Sequence, residues 1–201
     1  MVYFLRRVHM SNATGPIASR AAFDHLVFDD AFTLIDAGKW QRFSGTANTA
    51  ADASVSGCLS ARPGGGLFFD GTTGEGADPW RGLGLRTWQD FPGDADYRLS
   101  LRVECGAAGS GDSLLAFGFA QGANVARFGL LANGAASLVP CACPLLSGAD
   151  WVSQVGNAAV GNARVEVGKL GHVAYLAVDG VARATLEWPL DPTGRVRLYL
   201  A

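Results

Sequence analysis

Apolar and polar residues alternate along much of the chain, most clearly between residues 162 and 201. At the end of this stretch Val196, Leu198 and Leu200 alternate with two arginines and a tyrosine. A period of two places successive side chains on opposite faces of a β-strand. The pattern predicts four short strands between residues 162 and 201, joined as an antiparallel meander.

Turn-forming residues separate the predicted strands. Asp179-Gly180 favours a two-residue hairpin loop because glycine accepts a positive φ, and residues 168–171 and 189–194 mark the neighbouring turns. Upstream, residues 62–65 (RPGG) and Asn133-Gly134 are further turn signals. No helix longer than about two turns is indicated after residue 27.

The chain upstream of residue 162 also reads as strands. They are predicted at residues 27–34, 53–61, 66–70, 83–88, 97–104, 114–120, 125–131 and 135–139. If the aliphatic faces of the strands at 83–88 and 97–104 form the core, four side chains project from the opposite face of one sheet. These are Arg86, Trp88, Arg98 and Arg102.

The order of these elements resembles a known family. The C-terminal region contains, in order, an alternating strand, a glycine turn, an apolar strand closing on Asp-Gly, a returning strand and a final strand. This order is similar to the C-terminal half of the concanavalin A-like lectin/glucanase superfamily, which includes laminin G-like modules. The upstream segments FDDAF, KW, GLGLRTW and DYRLSLRVE follow in that family's usual order. The resemblance implies an all-β fold, a two-sheet antiparallel jelly-roll sandwich, and by itself implies no activity.

The length and composition favour one sandwich domain preceded by an arm. With 201 residues and 49% apolar composition, the chain can bury a single core. The sandwich is predicted at residues 27–201. Residues 1–26 differ because Asn12 and Gly15-Pro16 interrupt regular structure. This N-terminal segment is interpreted either as a disordered tail or as an arm that docks on other protein subunits.

The charge excludes some partners. A net charge of −2 provides no basic field for nucleic acid or for an anionic membrane surface, and no apolar run approaches the roughly 20 residues that span a bilayer. The start MVYFLRRVHM lacks the apolar segment of a signal peptide. We therefore expect neither a nucleic-acid nor a membrane partner, and cytoplasmic synthesis.

No cofactor is predicted. The four cysteines include no C-x-x-C pair, which leaves buried thiols, a disulfide or a metal site open. Their positions are Cys58, Cys105, Cys141 and Cys143. Calcium is implied only by the family resemblance, with Asp78, Asp150 and Asp179 as candidates.

The glutamate pattern argues against catalysis. The enzymes of the resembled superfamily hydrolyse β-glucans with two glutamates on one strand, in the pattern E-x-D-x-E or E-x-D-x-x-E. This chain has four glutamates, and no two lie within five residues of each other. The pairs Asp29-Asp30 and Asp94-x-Asp96 are better explained by capping and turns. We therefore expect no enzymatic activity.

Sugar binding requires fewer specific residues than catalysis, because pyranose rings stack on aromatic side chains while polar groups bind the hydroxyls. Trp40 and Trp188 are expected in the core, and the other three tryptophans are either core residues or sugar ligands. The predicted glycan site comprises Trp80, Trp88, Trp151, Arg86, Asp78, Arg127 and Asp150.

The sequence thus predicts a non-catalytic glycan-binding or adhesion module that recognises a surface polysaccharide. We expect it to be a subunit of a larger assembly, such as a fibre or spike of a phage-like virion, attached through residues 1–26. A homo-oligomer with exchanged arms is compatible with this prediction. The alternatives are a structural or decorating subunit without a ligand and, more remotely, a glycoside hydrolase.

Overall fold

The computed structural model describes residues 2–12, 25–45, 59–70, 82–105, 112–122, 124–133, 137–143, 152–153, 158–159 and 162–200. Within these residues every regular element is a β-strand, and all strand pairs are antiparallel. The strands form two sheets that share one core. This arrangement confirms the predicted all-β sandwich.

The first sheet contains eight strands. In spatial order they are β16 (Val181–Glu187), β15 (Val173–Val178), β14 (Asn162–Leu170), β8 (Tyr97–Cys105), β1 (Val2–Asn12), β5 (Leu67–Asp70) and β4 (Leu59–Ala61), with β2 (His25–Asp30) paired to β1.

The second sheet contains nine strands. Their order is β12 (Val152–Ser153), β11 (Ser137–Cys143), β10 (Asn124–Asn133), β9 (Asp112–Gln121), β17 (Arg195–Leu200), β6 (Gly82–Thr87) and β3 (Trp40–Gly45), with β13 (Ala158–Ala159) paired to β11 and β7 (Phe91–Pro92) paired to β17.

The core forms where alternate residues of the two sheets meet. Leu99 and Leu101 of β8 and Phe117 and Phe119 of β9 are all buried in the same cluster. Removing such side chains from water is the main favourable term in folding, at roughly 25 cal/mol per Å² of apolar surface. The period of two in the sequence therefore reports correctly which face of each strand is apolar.

One end of the core is aromatic. The Trp40 ring lies 5.2 Å from Phe28, edge to face, and 5.4 Å from Phe32. The Trp40 indole N–H donates to Asp30 Oδ2 (2.7 Å), and the backbone N–H of Phe32 donates to Asp30 Oδ1 (2.7 Å). Asp30 is buried but hydrogen-bonded, as a buried carboxylate must be. Trp40 and Trp188 are both buried, as expected from the sequence.

The predicted four-strand meander at the C-terminus is wrong in its last step. Strands β14, β15 and β16 are consecutive neighbours in the first sheet, but β17 lies in the second sheet between β9 and β6. The N–H of Gly93 donates to the carbonyl of Gly194 (2.8 Å), and Gln121 Oε1 accepts from the N–H of Asp191 (2.9 Å). These contacts hold the crossing segment between the sheets.

The expectation that Arg86, Trp88, Arg98 and Arg102 share one sheet is also wrong. Strand β6, which carries Arg86 and precedes Trp88, belongs to the second sheet, whereas β8, which carries Arg98 and Arg102, belongs to the first. Both strands direct their aliphatic faces to the same core. Their polar faces therefore lie on opposite outer surfaces of the sandwich.

The segment predicted as an N-terminal arm is part of the sandwich over most of its first half. Strand β1 pairs with β8 on one side and with β5 and β2 on the other. The predicted boundary at residue 27 therefore excludes a strand of the first sheet. Residues 13–24 lie outside the described residues, and attachment to other subunits through residues 1–26 stays a prediction.

Most of the predicted turns that the structure describes agree with the sequence. Asp179 and Gly180 both have positive φ (51° and 82°), as a two-residue hairpin of this type requires. The predicted turn at 168–171 begins later than expected, because β14 continues to Leu170. No helix among the described residues is long and apolar enough to cross a membrane.

Candidate functional site

A row of four polar residues and one glycine crosses the outer face of the second sheet. Strand register places Gln41 beside Arg86, Arg86 beside Tyr199, and Tyr199 beside Gly118, which in turn pairs with Arg127. The row spans β3, β6, β17, β9 and β10. None of its side chains belongs to the shared hydrophobic core, but Tyr199, Gly118 and Arg127 are buried, and only Gln41 and Arg86 are partly exposed. We call this set of five residues the polar row.

Two contacts organise the polar row. Arg86 Nε donates a hydrogen bond to Gln41 Oε1 (2.7 Å), and Arg127 Nη1 donates to the Tyr199 hydroxyl (3.4 Å). The Arg127 guanidinium also lies 6.0 Å from the centre of the Tyr199 ring. Planar guanidinium groups suit both interactions, since they combine several fixed donors with stacking on aromatic rings.

Gly118 explains how Arg127 reaches Tyr199 across an intervening strand. A Cβ at position 118 would meet the carbonyl oxygen of Ala126 and lie 2.8 Å from Arg127 Cα. Position 118 therefore has no room for any residue larger than glycine. With no side chain between them, Arg127 on β10 and Tyr199 on β17 come into contact over the backbone of β9.

Trp88 provides an exposed aromatic surface next to the row. It follows β6 directly, and 47% of its surface is exposed. Its indole N–H donates to the carbonyl of Ala37 (2.9 Å), which fixes the ring. The guanidinium of Arg197 lies 5.9 Å from the ring centre. An anchored, half-exposed indole is suited to stacking against the apolar face of a sugar.

A carboxylate stands beside this aromatic surface. Arg197 Nε donates to Asp90 Oδ1 (2.6 Å), and Arg195 Nη2 donates to the Asp90 carbonyl (2.9 Å). Burial and the positive charge of Arg197 lower the pKa of Arg86, which remains charged at neutral pH because an arginine pKa is normally above 12. Trp88, Arg197 and Asp90 together form a cluster that we call the Trp88 cluster.

The structure brings three predicted glycan-site residues to this face. Arg86 and Arg127 belong to the polar row, and Trp88 borders it. Arg127 is completely buried and contacts Tyr199, so it positions that side chain and is not an exposed sugar ligand. The other predicted site residues, Trp80, Trp151, Asp78 and Asp150, lie outside the described residues.

Sequence reasoning missed Gln41, Tyr199, Arg197 and Asp90. The alternation of residues 195–200 did identify Arg197 and Tyr199 as facing away from the core. Their role was missed because β17 was assigned to the meander of the first sheet. Nothing in the local sequence around Gln41 or Asp90 identifies them.

The described carboxylates do not form the glutamate pair of the resembled enzymes. Where side chains are described, the outer face of the central strands β9 and β10 carries no carboxylate: its residues are Ala116, Gly118, Ala120, Val125, Arg127 and Gly129. Asp96 Oδ1 accepts a hydrogen bond from the N–H of Gly171 (2.6 Å), so this carboxylate stabilises the turn after β14. Glu166 accepts from the Tyr175 hydroxyl (2.9 Å) on the first sheet.

Metal ligands are not clustered within the described part of the chain, where no group of three or more histidine, cysteine, aspartate or glutamate side chains could hold an ion. Asp179, a calcium candidate by resemblance, instead accepts a hydrogen bond from the N–H of Arg164 (2.8 Å) at its hairpin. Asp78 and Asp150 lie outside the described residues.

Comparison with known proteins identifies the fold. No family model and no curated protein sequence matches the chain. Among solved structures, it is similar to a glycoside hydrolase family protein from Mycobacterium thermorestibile (TM-score 0.56, 14% identity, covering 83% of this chain and 82% of that chain). It is also similar to LamAcat from Zobellia galactanivorans (TM-score 0.56, 14% identity, covering 90% and 88%).

At this identity the likeness shows the fold alone, which is a two-sheet jelly-roll sandwich. The comparisons nevertheless correct one prediction. The structural neighbours include a glycoside hydrolase family protein, which contradicts the prediction of a non-catalytic adhesion module within a virion-like assembly. They favour the glycoside hydrolase alternative. The sequence had made this alternative the most remote one, because it lacks the glutamate pair.

Proposed function

We propose that the protein hydrolyses a polysaccharide bound beside Trp88, at the β3–β6 side of the outer face of its second sheet. The observation that carries this proposal is the Trp88 cluster, in which an anchored, half-exposed indole stands beside an ion-paired carboxylate and one end of the polar row. The fold shared with a glycoside hydrolase family protein supports the same class of activity.

The exposed part of this face limits where a sugar can bind. Tyr199 and Arg127 of the polar row are completely buried, whereas Gln41 and Arg86 are partly exposed. Trp88 would stack on one pyranose ring, and the Arg86–Gln41 pair would hydrogen-bond the hydroxyls of a neighbouring sugar.

Hydrolysis of a glycosidic bond requires two carboxyl groups flanking the bond, one as an acid and the other as a nucleophile or base. Asp90 is linked to Trp88 through Arg197, which is ion-paired with its carboxylate and lies over the indole ring. Asp78 and Asp150 were predicted from the sequence as site residues, and both of them, like Glu75, lie outside the described residues. We propose that one of these three supplies the second carboxyl group.

An assay of reducing-end release from soluble β-glucans tests the proposal. The wild-type protein is expected to release reducing ends from at least one β-glucan of a panel that differs in linkage. Asp90→Asn and one of Glu75→Gln, Asp78→Asn or Asp150→Asn are expected to lower kcat by at least 100-fold. Trp88→Ala is expected chiefly to raise KM, because it removes binding surface.

Glu187→Gln is the matched control, since Glu187 is exposed on β16 of the first sheet and distant in the sheet order from the polar row. It should leave activity unchanged. If the folded wild-type protein releases no reducing ends from any β-glucan, the proposed activity is wrong and the expectation of a non-catalytic chain, drawn from the glutamate pattern, is supported.

A further inference from the structure

Two arginines lie directly opposite each other on the outer face of the first sheet. Arg164 of β14 pairs in register with Arg102 of β8, and both side chains are exposed. Within the described residues neither guanidinium makes a hydrogen bond or an ion pair. Like charges directly opposite on neighbouring strands repel each other and destabilise the pair. This sheet therefore maintains a local concentration of positive charge.

The described positive charge of this patch therefore comes from two neighbouring strands, β8 and β14. We call Arg102 and Arg164 the arginine row.

Nearby described carboxylates are engaged elsewhere. Glu166, two residues along β14 on the same face, is buried and accepts a hydrogen bond from the Tyr175 hydroxyl (2.9 Å). Asp179 Oδ1 accepts from the backbone N–H of Arg164 and forms no ion pair with the guanidinium of that residue. Among the described residues, therefore, no carboxylate neutralises the exposed Arg102–Arg164 pair, which can meet an anion from outside the chain.

We propose that the arginine row binds an anionic polysaccharide that carries a carboxylate or a sulfate on successive sugars. Guanidinium groups bind both kinds of oxyanion with paired hydrogen bonds. The strand separation of about 4.8 Å sets the spacing of the positive charges, and it is close to the length of one sugar residue in an extended chain. Each negative group can therefore meet one strand of the row.

The same observations disfavour nucleic acid as the ligand. The whole chain carries a net charge of −2, whereas nucleic-acid affinity depends on a field of many basic groups against a densely charged phosphate backbone. Two exposed positive charges on neighbouring strands fit a linear, less densely charged polymer. This site lies on the opposite surface of the sandwich from the polar row, so it does not depend on the proposed hydrolase activity.

Affinity electrophoresis of the whole protein in native gels tests the proposal. Gels contain polygalacturonate, dextran sulfate or neutral dextran at low ionic strength. The wild-type protein is expected to be retarded by at least one anionic polymer and not by dextran, and the two anionic polymers distinguish carboxylate from sulfate. The Arg102→Gln/Arg164→Gln variant is expected to bind at least tenfold more weakly, and each single variant should be intermediate.

Arg62→Gln removes one equally exposed positive charge at the turn between β4 and β5, away from the arginine row, and should bind like the wild type. The proposal is overturned if the double variant is retarded as strongly as the wild type, or if Arg62→Gln weakens binding as much as Arg102→Gln. It is also overturned if a single-stranded oligonucleotide binds more tightly than either polysaccharide. Hydrolysis of neutral β-glucan is measured separately, so failure of either proposal leaves the other testable.

Discussion

The Nζ of Lys169 lies 5.2 Å from the centre of the Trp188 indole ring. The ammonium group also donates hydrogen bonds to the carbonyls of Asp94 (3.4 Å) and Ala95 (3.0 Å), and it lies 3.9 Å from Asp96 Oδ1. The side chain is only 1% exposed. This contact joins β14, the turn before β8 and the segment after β16, and it compensates for the cost of burying a charge.

The first prediction concerns the pH dependence of stability. Burial lowers the pKa of Lys169, and the carboxylates of Asp96 and Asp94 oppose that shift. Between the lowered pKa and the unfolded value near 10.5, the unfolded chain binds more protons, so the free energy of unfolding rises with pH in this window. Urea unfolding at a series of pH values should show the rise in the wild type and its absence in Lys169→Met.

Lys39, the other lysine of the chain, offers a matched control because its side chain is 47% exposed. Lys39→Met should retain the rise in the free energy of unfolding towards pH 10.5. Identical pH profiles for Lys169→Met and the wild type would contradict the prediction.

The second prediction concerns Gly118 in the polar row. Gly118→Ala should lower the free energy of unfolding by about 3 kcal/mol or more, because the added methyl group meets the backbone of Ala126 and Arg127 and cannot be accommodated by a side-chain rotation. Urea unfolding measures the loss. Gly122→Ala is the comparison: nothing lies within 4 Å of its Cβ, but its φ of +58° should still cost about 1 kcal/mol. An equal loss in both variants would argue against a clash at position 118.

The third prediction follows from the repulsion within the Arg102–Arg164 pair. Arg164→Gln should raise the free energy of unfolding by about 0.2–1 kcal/mol at low ionic strength, and added salt should reduce the gain. A double-mutant cycle with Arg102→Gln isolates the coupling, since removing the second arginine should then bring no further gain. Additive effects of the two substitutions would show that the arginines do not repel each other.

The fourth prediction concerns Tyr97, which is buried and donates a hydrogen bond to the Pro92 carbonyl (2.7 Å). Tyr97→Phe should lower the free energy of unfolding by about 1 kcal/mol at neutral pH. Burial, with the nearby charge of Asp94, raises the pKa of the phenol. Above its ordinary value of 10.0 the folded chain therefore holds more protons than the unfolded chain, and stability falls with rising pH.

Urea unfolding above pH 10 separates the loss of the Tyr97 hydrogen bond from the effect of the raised pKa of its phenol. The wild type should lose stability more steeply with pH than Tyr97→Phe, so the difference between them narrows as the pH increases. A constant difference would mean that the phenol titrates alike in the folded and unfolded chains.

The sequence by itself determined the type of element and the buried face of each strand. Val196, Leu198 and Leu200 are buried as their alternation predicts, because a pleated strand directs successive side chains to opposite sides whatever its neighbours are. The Asp179-Gly180 hairpin was equally predictable, since positive φ at both positions is a local property of those two residues.

Only the tertiary structure decided which sheet each strand joins, and with it the composition of both outer faces. Arg86 and Arg102 occupy the same kind of position in similar patterns, yet they lie on opposite surfaces of the sandwich. An apolar face packs equally well against the core from either sheet. The choice is made by backbone hydrogen bonds between strands far apart in sequence, such as those of β17 with β9, and alternation within one strand carries no record of them.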